Sequence, residues 1–237
     1  KCIIYTDVDG VYTTDPNVVP KAKKIKKISF EEMLEMASLG AKVMQPHSIQ
    51  DARLNRLNIE VRSSFKNVSG SLITKRKNIS NSNIIRGVSF TKNDAKITLV
   101  GVKDKPGVAA SIFEPLYKNS INVDMVVQNI SDNRKETDLT FTIKLDDLLK
   151  TSRLLKQNKN IQFRKLTIDK NVSKVSIIGV GMITTPGVTY RMFQTLADKK
   201  INILVISTSE IKISVLINKK DLSKAISALH KEFKLDS

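Results

Sequence analysis

Two stretches of the chain carry the same pattern of apolar and polar positions. Residues 96–130 open with an alternating run, Ile97-Thr98-Leu99-Val100-Gly101, and residues 174–208 open with Val175-Ser176-Ile177-Ile178-Gly179. Such alternation predicts a strand with one buried face. Each stretch then has Pro-Gly-Val, at 106–108 and 186–188, and each reaches Ile-Asn fifteen residues after that Pro. Between these marks the apolar residues recur at helical spacing: Ala109, Ile112, Phe113 and Leu116 in the first copy, Met192, Phe193, Leu196 and Ala197 in the second. Two more strands follow Ile-Asn. The last of them are Asp138–Ile143 and Ile211–Ile217, and each copy closes with a helix, Asp146–Leu155 or Leu222–Phe233, with Asp146 and Asp221 as N-cap candidates. The order is βαββα, and a short segment beyond each helix would supply a fourth strand. This is a repeated ferredoxin-like α+β unit, helices on one face of an antiparallel sheet.

The first third reads differently. A strand over Cys2–Val8 meets a turn at Asp9-Gly10. A helix is predicted over Ser29–Leu39, with Ser29 and Glu32 spaced as a capping box. A second helix over Ser48–Leu57 leads to a strand at Ile59–Ser63. This is the end of a larger α/β unit. The expected domains are therefore 1–66, a linker with a strand at Ile84–Phe90 over 67–95, a first repeat over 96–170 and a second over 171–237. The chain starts without Met inside a strand, so an upstream part is expected.

Composition narrows the function classes. Of 237 residues 41% are hydrophobic, which suits a globular protein, and no apolar run approaches the ~20 residues of a membrane span. One cysteine, Cys2, rules out an internal disulfide, and with no export signal a cytoplasmic location is the simplest expectation. Only His47 and His230 offer imidazole, so no metal site is expected. The net charge of +17 would suit anionic partners, but the lysines are scattered and Trp is absent. The dense cluster Lys21–Lys27 reads as a solvated linker or helix entrance, and no nucleic-acid partner is expected.

The strings YTDVDGVYTTDP (5–16) and SFEEMLEMASLGAKVMQPHS (29–48), followed by VGVKDKPGVAA, INVDMVVQN, TDLTFTI and ISTSEIKISVLI, together resemble the carboxyl-terminal part of the aspartokinase family. The resemblance implies the tail of an amino-acid-kinase domain followed by two ACT domains, which sense amino acids. It implies an enzyme that transfers the γ-phosphate of ATP, with magnesium, to the side-chain carboxylate of aspartate, the first step towards lysine, threonine and methionine. By resemblance Thr6, Asp7, Tyr12, Thr13, Thr14, Asp15, Pro16, Asn17 and Lys42 would line the ATP site. Asn17 stands where the family has Arg, which removes a fork suited to phosphate. The residues by themselves also suit a plain turn at Asp9-Gly10 and a surface lysine at 42. The amino-terminal Gly-rich lysine motif and the aspartate-binding residues are absent, so no catalytic residue is assigned and this chain alone is expected to be inactive. The alternative is a regulatory subunit that acts through a partner kinase.

An amino-acid effector, lysine or threonine by resemblance, needs donors for its carboxylate and acceptors for its ammonium. The loop Asp104-Lys105-Pro106-Gly107-Val108-Ala109 opens a helix, whose free N–H groups suit a carboxylate. Asp104, Asn122 and Asp124 offer acceptors, and Gln128 offers both functions. The resemblance adds Val123 from the first repeat and Val188, Thr189, Asn202, Ile203, Ser209 and Glu210 from the second. Asn122 and Asn202 also suit a turn, and Val108, Val188 and Ile203 also suit a core. Exposed edge strands imply pairing, and the family implies a homodimer with effector at the interface.

Overall fold

The computed structural model describes residues 2–41, 43–79, 83–130, 136–158 and 160–237. At the front, β1 (Cys2–Thr6) lies parallel to β3 (Ile59–Ser63), which pairs antiparallel with β4 (Ser71–Thr74), and β4 lies parallel to β2 (Lys27–Ser29). The helices α1 (Phe30–Ser38) and α2 (Pro46–Leu54) pack here around Ile28, Met33, Met36, Ile49, Val61 and Ile73. The capping box at α1 forms as the spacing predicts. Glu32 N donates to Ser29 Oγ at 3.1 Å, and the Ser29 backbone N–H and hydroxyl donate to Glu32 Oε2 at 3.3 and 2.9 Å. The second helix starts two residues earlier than its sequence boundary, because Pro46 suits the first turn of a helix.

The repeats form one six-stranded sheet in the order β6-β7-β5-β8-β10-β9. Its strands are β5 (Gly87–Lys103), β6 (Val123–Ile130), β7 (Glu136–Lys144), β8 (Lys165–Ile178), β9 (Ile203–Thr208) and β10 (Lys212–Asn218). The helices are α3 (Val108–Lys118), α4 (Leu148–Gln157), α5 (Val188–Asp198) and α6 (Leu222–Glu232). Ile97, Leu99, Ile112, Leu116 and Phe141 centre the first core; Val175, Ile177, Met192, Leu196, Ile213 and Val215 centre the second. Ala197, expected on the buried stripe of α5, is exposed.

The two long strands differ from the expected division. The boundaries at 96 and 171 fall inside β5 and β8, and the expected linker over 67–95 holds β4 and the start of β5. Residues 94–100 of β5 pair with 165–172 of β8 in the first repeat, while Gly87–Thr91 pairs with Lys174–Ile178 in the second. The segment after α4 does supply the first repeat's fourth strand. In the second repeat that strand is the front of β5, and α6 is followed by a turn. The polar run Thr91-Lys92-Asn93-Asp94 hides this continuity in the sequence, and the register shifts there. Asp146 and Asp221 do not cap through their side chains. Each closing helix is entered by a 3₁₀ turn, and Asp147 and Asp221 occupy the cap positions without a side-chain bond. Asp146 instead accepts from Asn93 Nδ2 at 3.4 Å.

Candidate functional site

The front segment builds a loop at the C-terminal end of β1, where α/β sheets hold ligands. Its stem is a short antiparallel ribbon. Thr13 N donates to Lys23 O at 2.9 Å, Ile25 N to Val11 O at 2.8 Å, and Tyr12 bridges Lys24. Thr6 Oγ1 donates to Asp7 Oδ1 at 3.0 Å. Tyr12 Oη donates to Asp9 Oδ1 at 2.8 Å, and Lys24 Nζ reaches Asp9 Oδ2 at 3.2 Å. Burial works to raise the Asp9 carboxyl, but the Tyr12 and Lys24 hydrogen bonds and the lysine charge hold it below the usual range. Burial, then the Asp9 contact, pushes the Tyr12 hydroxyl up.

The loop residues expected at ATP divide by exposure. Asp7, Asp15, Pro16 and Asn17 are exposed, and Asp15 Oδ1 accepts from Asn17 N at 2.9 Å. Thr6 and Tyr12 are half-buried. Thr13 and Thr14 are buried, and Thr14 Oγ1 has no hydrogen-bond partner among the described residues. Thr13 is turned towards the second repeat: its Oγ1 lies 2.9 Å from His230 Nε2. Lys42 lies outside the described residues. Asp9 and Lys24 were not singled out as site residues; they sit fifteen positions apart, and only the ribbon brings them together. In the basic run Lys21, Lys23, Lys26 and Lys27 are exposed, and Lys24 is half-buried against Asp9. Lys23–Lys27, Asn83, Arg86 and Leu235 line a cavity of about 330 Å³.

In the repeats, both Pro-Gly turns place glycine in the left-handed region at φ 87°, at the entrance of α3 and α5. Asp104, Lys105, Pro106 and Gly107 are exposed, Ala109 is half-buried, and Val108 is buried with its N–H donating to Lys105 O at 3.2 Å. Asn122 and Val123 sit at the other end of α3. Eleven helical residues at ~1.5 Å each put the two groups roughly 16 Å apart. Within one chain they do not converge. Asn122 and Val123 instead line a cavity of about 220 Å³ with Phe113, Leu116, Tyr117 and Val126. Gln128 is exposed on β6.

Asp124 is not a free acceptor. It pairs with Lys174 of β8, and its Oδ1 accepts from Met125 N at 2.8 Å. Burial works to raise this carboxyl, but the Lys174 charge and hydrogen bond hold it low. In the second repeat Val188 is buried core and Thr189 is exposed at the start of α5. Ser209 and Glu210 form the exposed turn before β10, at the same sheet end; Ser209 N donates to Lys212 O at 2.8 Å. Asn202 and Ile203 stand at the far end of α5.

Comparison with known proteins fits this geometry. The family model described as "ACT domain" matches residues 97–158 and 175–233, and that of the "Amino acid kinase family" matches 1–63. An aspartokinase of Pseudomonas aeruginosa is 48% identical over all of this chain, which spans 58% of that protein's length. Among solved structures, E. coli aspartokinase III superposes with a TM-score of 0.83 at 28% identity, covering 97% of this chain and 51% of the other. The regulatory subunit of aspartate kinase from Thermus thermophilus, at 34% identity and a TM-score of 0.60, covers 63% of this chain and 99% of its own. The chain thus belongs to the ACT domain family, carrying two ACT copies behind an amino acid kinase family segment, and is similar throughout to part of the aspartokinases.

Proposed function

We propose that this chain is the nucleotide-side tail and effector-sensing part of an aspartokinase, the ATP-dependent kinase of the aspartate side-chain carboxylate. The observation that carries this reading is the joining, in one chain, of a strand-end loop of the kinase family to two ACT repeats. Similarity to aspartokinases runs along its full length. The E. coli aspartokinase III structures are complexes with aspartate and ADP and with lysine and aspartate. Here the exposed Asp7, Asp15 and Asn17 offer polar groups towards ATP and its magnesium. Phosphoryl transfer depends on positioning and charge stabilisation, so these residues would orient the nucleotide. The aspartate site would lie outside this chain.

Effector binding would be read out by the kinase as a difference in affinity between two states. A second reading, a regulatory subunit acting on a partner kinase chain, is favoured by the near-complete coverage of the Thermus regulatory subunit. No helix among the described residues is long and apolar enough to cross a membrane.

Calorimetry with lysine and with threonine tests the sensing half. One of them binds the wild type, and Asp104→Ala and Gln128→Ala each weaken it about tenfold, the loss of one charge-assisted or buried polar contact. Unchanged affinity in both variants removes this site. With ATP, magnesium and aspartate, the chain alone yields no hydroxamate-trappable acyl phosphate; turnover would refute the division of labour.

A further inference from the structure

The loop between Thr13 and Val19 stands on the second ACT repeat at both of its feet. At the first foot, Thr13 Oγ1 accepts from Lys23 N at 3.0 Å and lies 2.9 Å from Nε2 of His230, which is only 2% exposed on α6. A hydroxyl has one hydrogen to give. With Lys23 N donating to one of its two lone pairs, Thr13 Oγ1 can still either give its hydrogen to His230 Nε2 or accept one from it, according to the ring's tautomer. Burial pushes the His230 pKa down, against the opposing charge of Asp236, which favours a neutral ring. Thr13 is held on a further side: its carbonyl accepts from Val88 N of β5 at 2.7 Å. A Cβ on Gly87 would stand 2.7 Å from the same oxygen, so only glycine lets β5 come this near.

At the second foot, Val19 is buried in the core of the second repeat, in one cluster with Ile85, Val88, Leu229 and Phe233, and Val18 packs against that cluster. The N–H groups of Val18 and Val19 both donate to Asp15 O at 3.0 Å, which ties this foot to the exposed residues Asp15–Asn17 between the feet. The contacts join residues up to 217 positions apart.

We infer that the second ACT repeat sets the position of the Thr14–Asn17 loop, with His230 as the positioning residue that grips it through Thr13. The consequence for ATP rests on the proposed nucleotide role of this loop. A shift of α6 against β5 moves the His230 and Val88 partners of Thr13 apart. The loop then loses its fixed geometry without any change in the residues that face solvent. An effector signal arriving at the second repeat would reach the nucleotide side by this path, and one arriving at the first would have to cross into the second repeat, through β5 and β8 or through the packing of Met125 on Val205 and Leu216.

The test uses amide exchange read by mass spectrometry on this chain. Thr13→Val keeps the shape and removes the hydroxyl. His230→Phe removes the hydrogen-bonding partner, and His230→Gln keeps an amide that can donate or accept near the Nε2 position. In Thr13→Val and His230→Phe the peptide over residues 14–19 should exchange about tenfold faster, as expected for loss of a buried hydrogen bond. His230→Gln should stay near the wild type, and helix α3 should be unchanged in all three. Unaltered exchange over 14–19 in both disruptive variants overturns the inference. So does equal acceleration in α3, which would make His230 a general stabilising residue. In the complete kinase the same two variants should raise KM for ATP more than they lower kcat, with His230→Gln rescuing KM. A wild-type complete kinase that does not use ATP would refute the nucleotide role while leaving the exchange result standing.

Discussion

At Asp124 a half-exposed carboxylate faces an ammonium that is almost wholly buried; the Lys174 side chain is 5% exposed. Removing the carboxylate leaves a buried charge without its partner, which costs more than the pair itself contributes. Asp124→Ala should therefore destabilise the fold by roughly 1–3 kcal/mol, less than a fully buried pair because one side meets water. The urea midpoint measures it, and Asp124→Asn should recover part of the loss. The pair also makes any loss of effector binding in Asp124→Ala ambiguous, which is why Asp104 and Gln128 are the better probes. His230 gives the pH dependence. Its folded pKa lies below the ordinary 6.5, so the unfolded chain takes up the proton first as pH falls. The contribution of neutral His230 is complete above 6.5 and declines as pH drops through 6.5 towards the lower folded value. Urea midpoints measured from pH 7.5 to 5.5 should show this slope in the wild type, and His230→Gln should flatten it.

Among elements, β5 and β8 decide how the molecule comes apart. Each runs through both repeats, so neither repeat owns a complete sheet without the other. Thr98 sits in the middle of β5, opposite Thr140 on β7 and Thr167 on β8. Thr98→Pro removes a ladder donor from a central strand, a change worth ~3 kcal/mol or more in a regular element. Protection in α6, which belongs to the second repeat, should fall together with protection in α3. Loss confined to α3 would mean that the repeats unfold separately. The long strands also mark where the sequence was readable. The capping box at Ser29 and Glu32, the alternation at Ile97–Val100 and the Pro-Gly turns are local, and each produced its element. The partner of β8 in the second repeat was not readable, because Gly87–Thr91 lies a whole repeat away. Its apolar side is also interrupted by Thr91-Lys92-Asn93-Asp94. The Thr13–His230 contact had no local signal either; only packing of α6 against the front segment makes it.

For the whole molecule, the separation of the proposed effector residues is the feature to explain. Asp104–Ala109 and Asn122–Val123 lie at opposite ends of α3, roughly 16 Å apart by helix rise, so a ligand the size of an amino acid does not touch both in one chain. Among the described strands β6 is hydrogen-bonded to β7 alone and β9 to β10 alone, and the two edge strands pack on each other through Met125 and Val205. Beside these edges Val126 and Ile206, at matching positions of the two repeats, are 51% and 43% exposed. Two copies pairing β6 antiparallel across a two-fold axis would bring the Val123 end of one strand against the Ile130 end of the other. The Asn122 cavity of one copy would then face the Asp104–Ala109 loop of its mate, completing donors and acceptors that a single chain holds apart. Such pairing would also bury Val126 twice, once per copy. Sedimentation should accordingly show a dimer that Val126→Asp weakens by an order of magnitude or more, since it sets two like charges together in an apolar contact. The same variant should lose lysine or threonine binding although residue 126 offers the effector no polar group. A monomeric wild type that still binds effector with full affinity would place the site within one chain, at one end of α3 or the other.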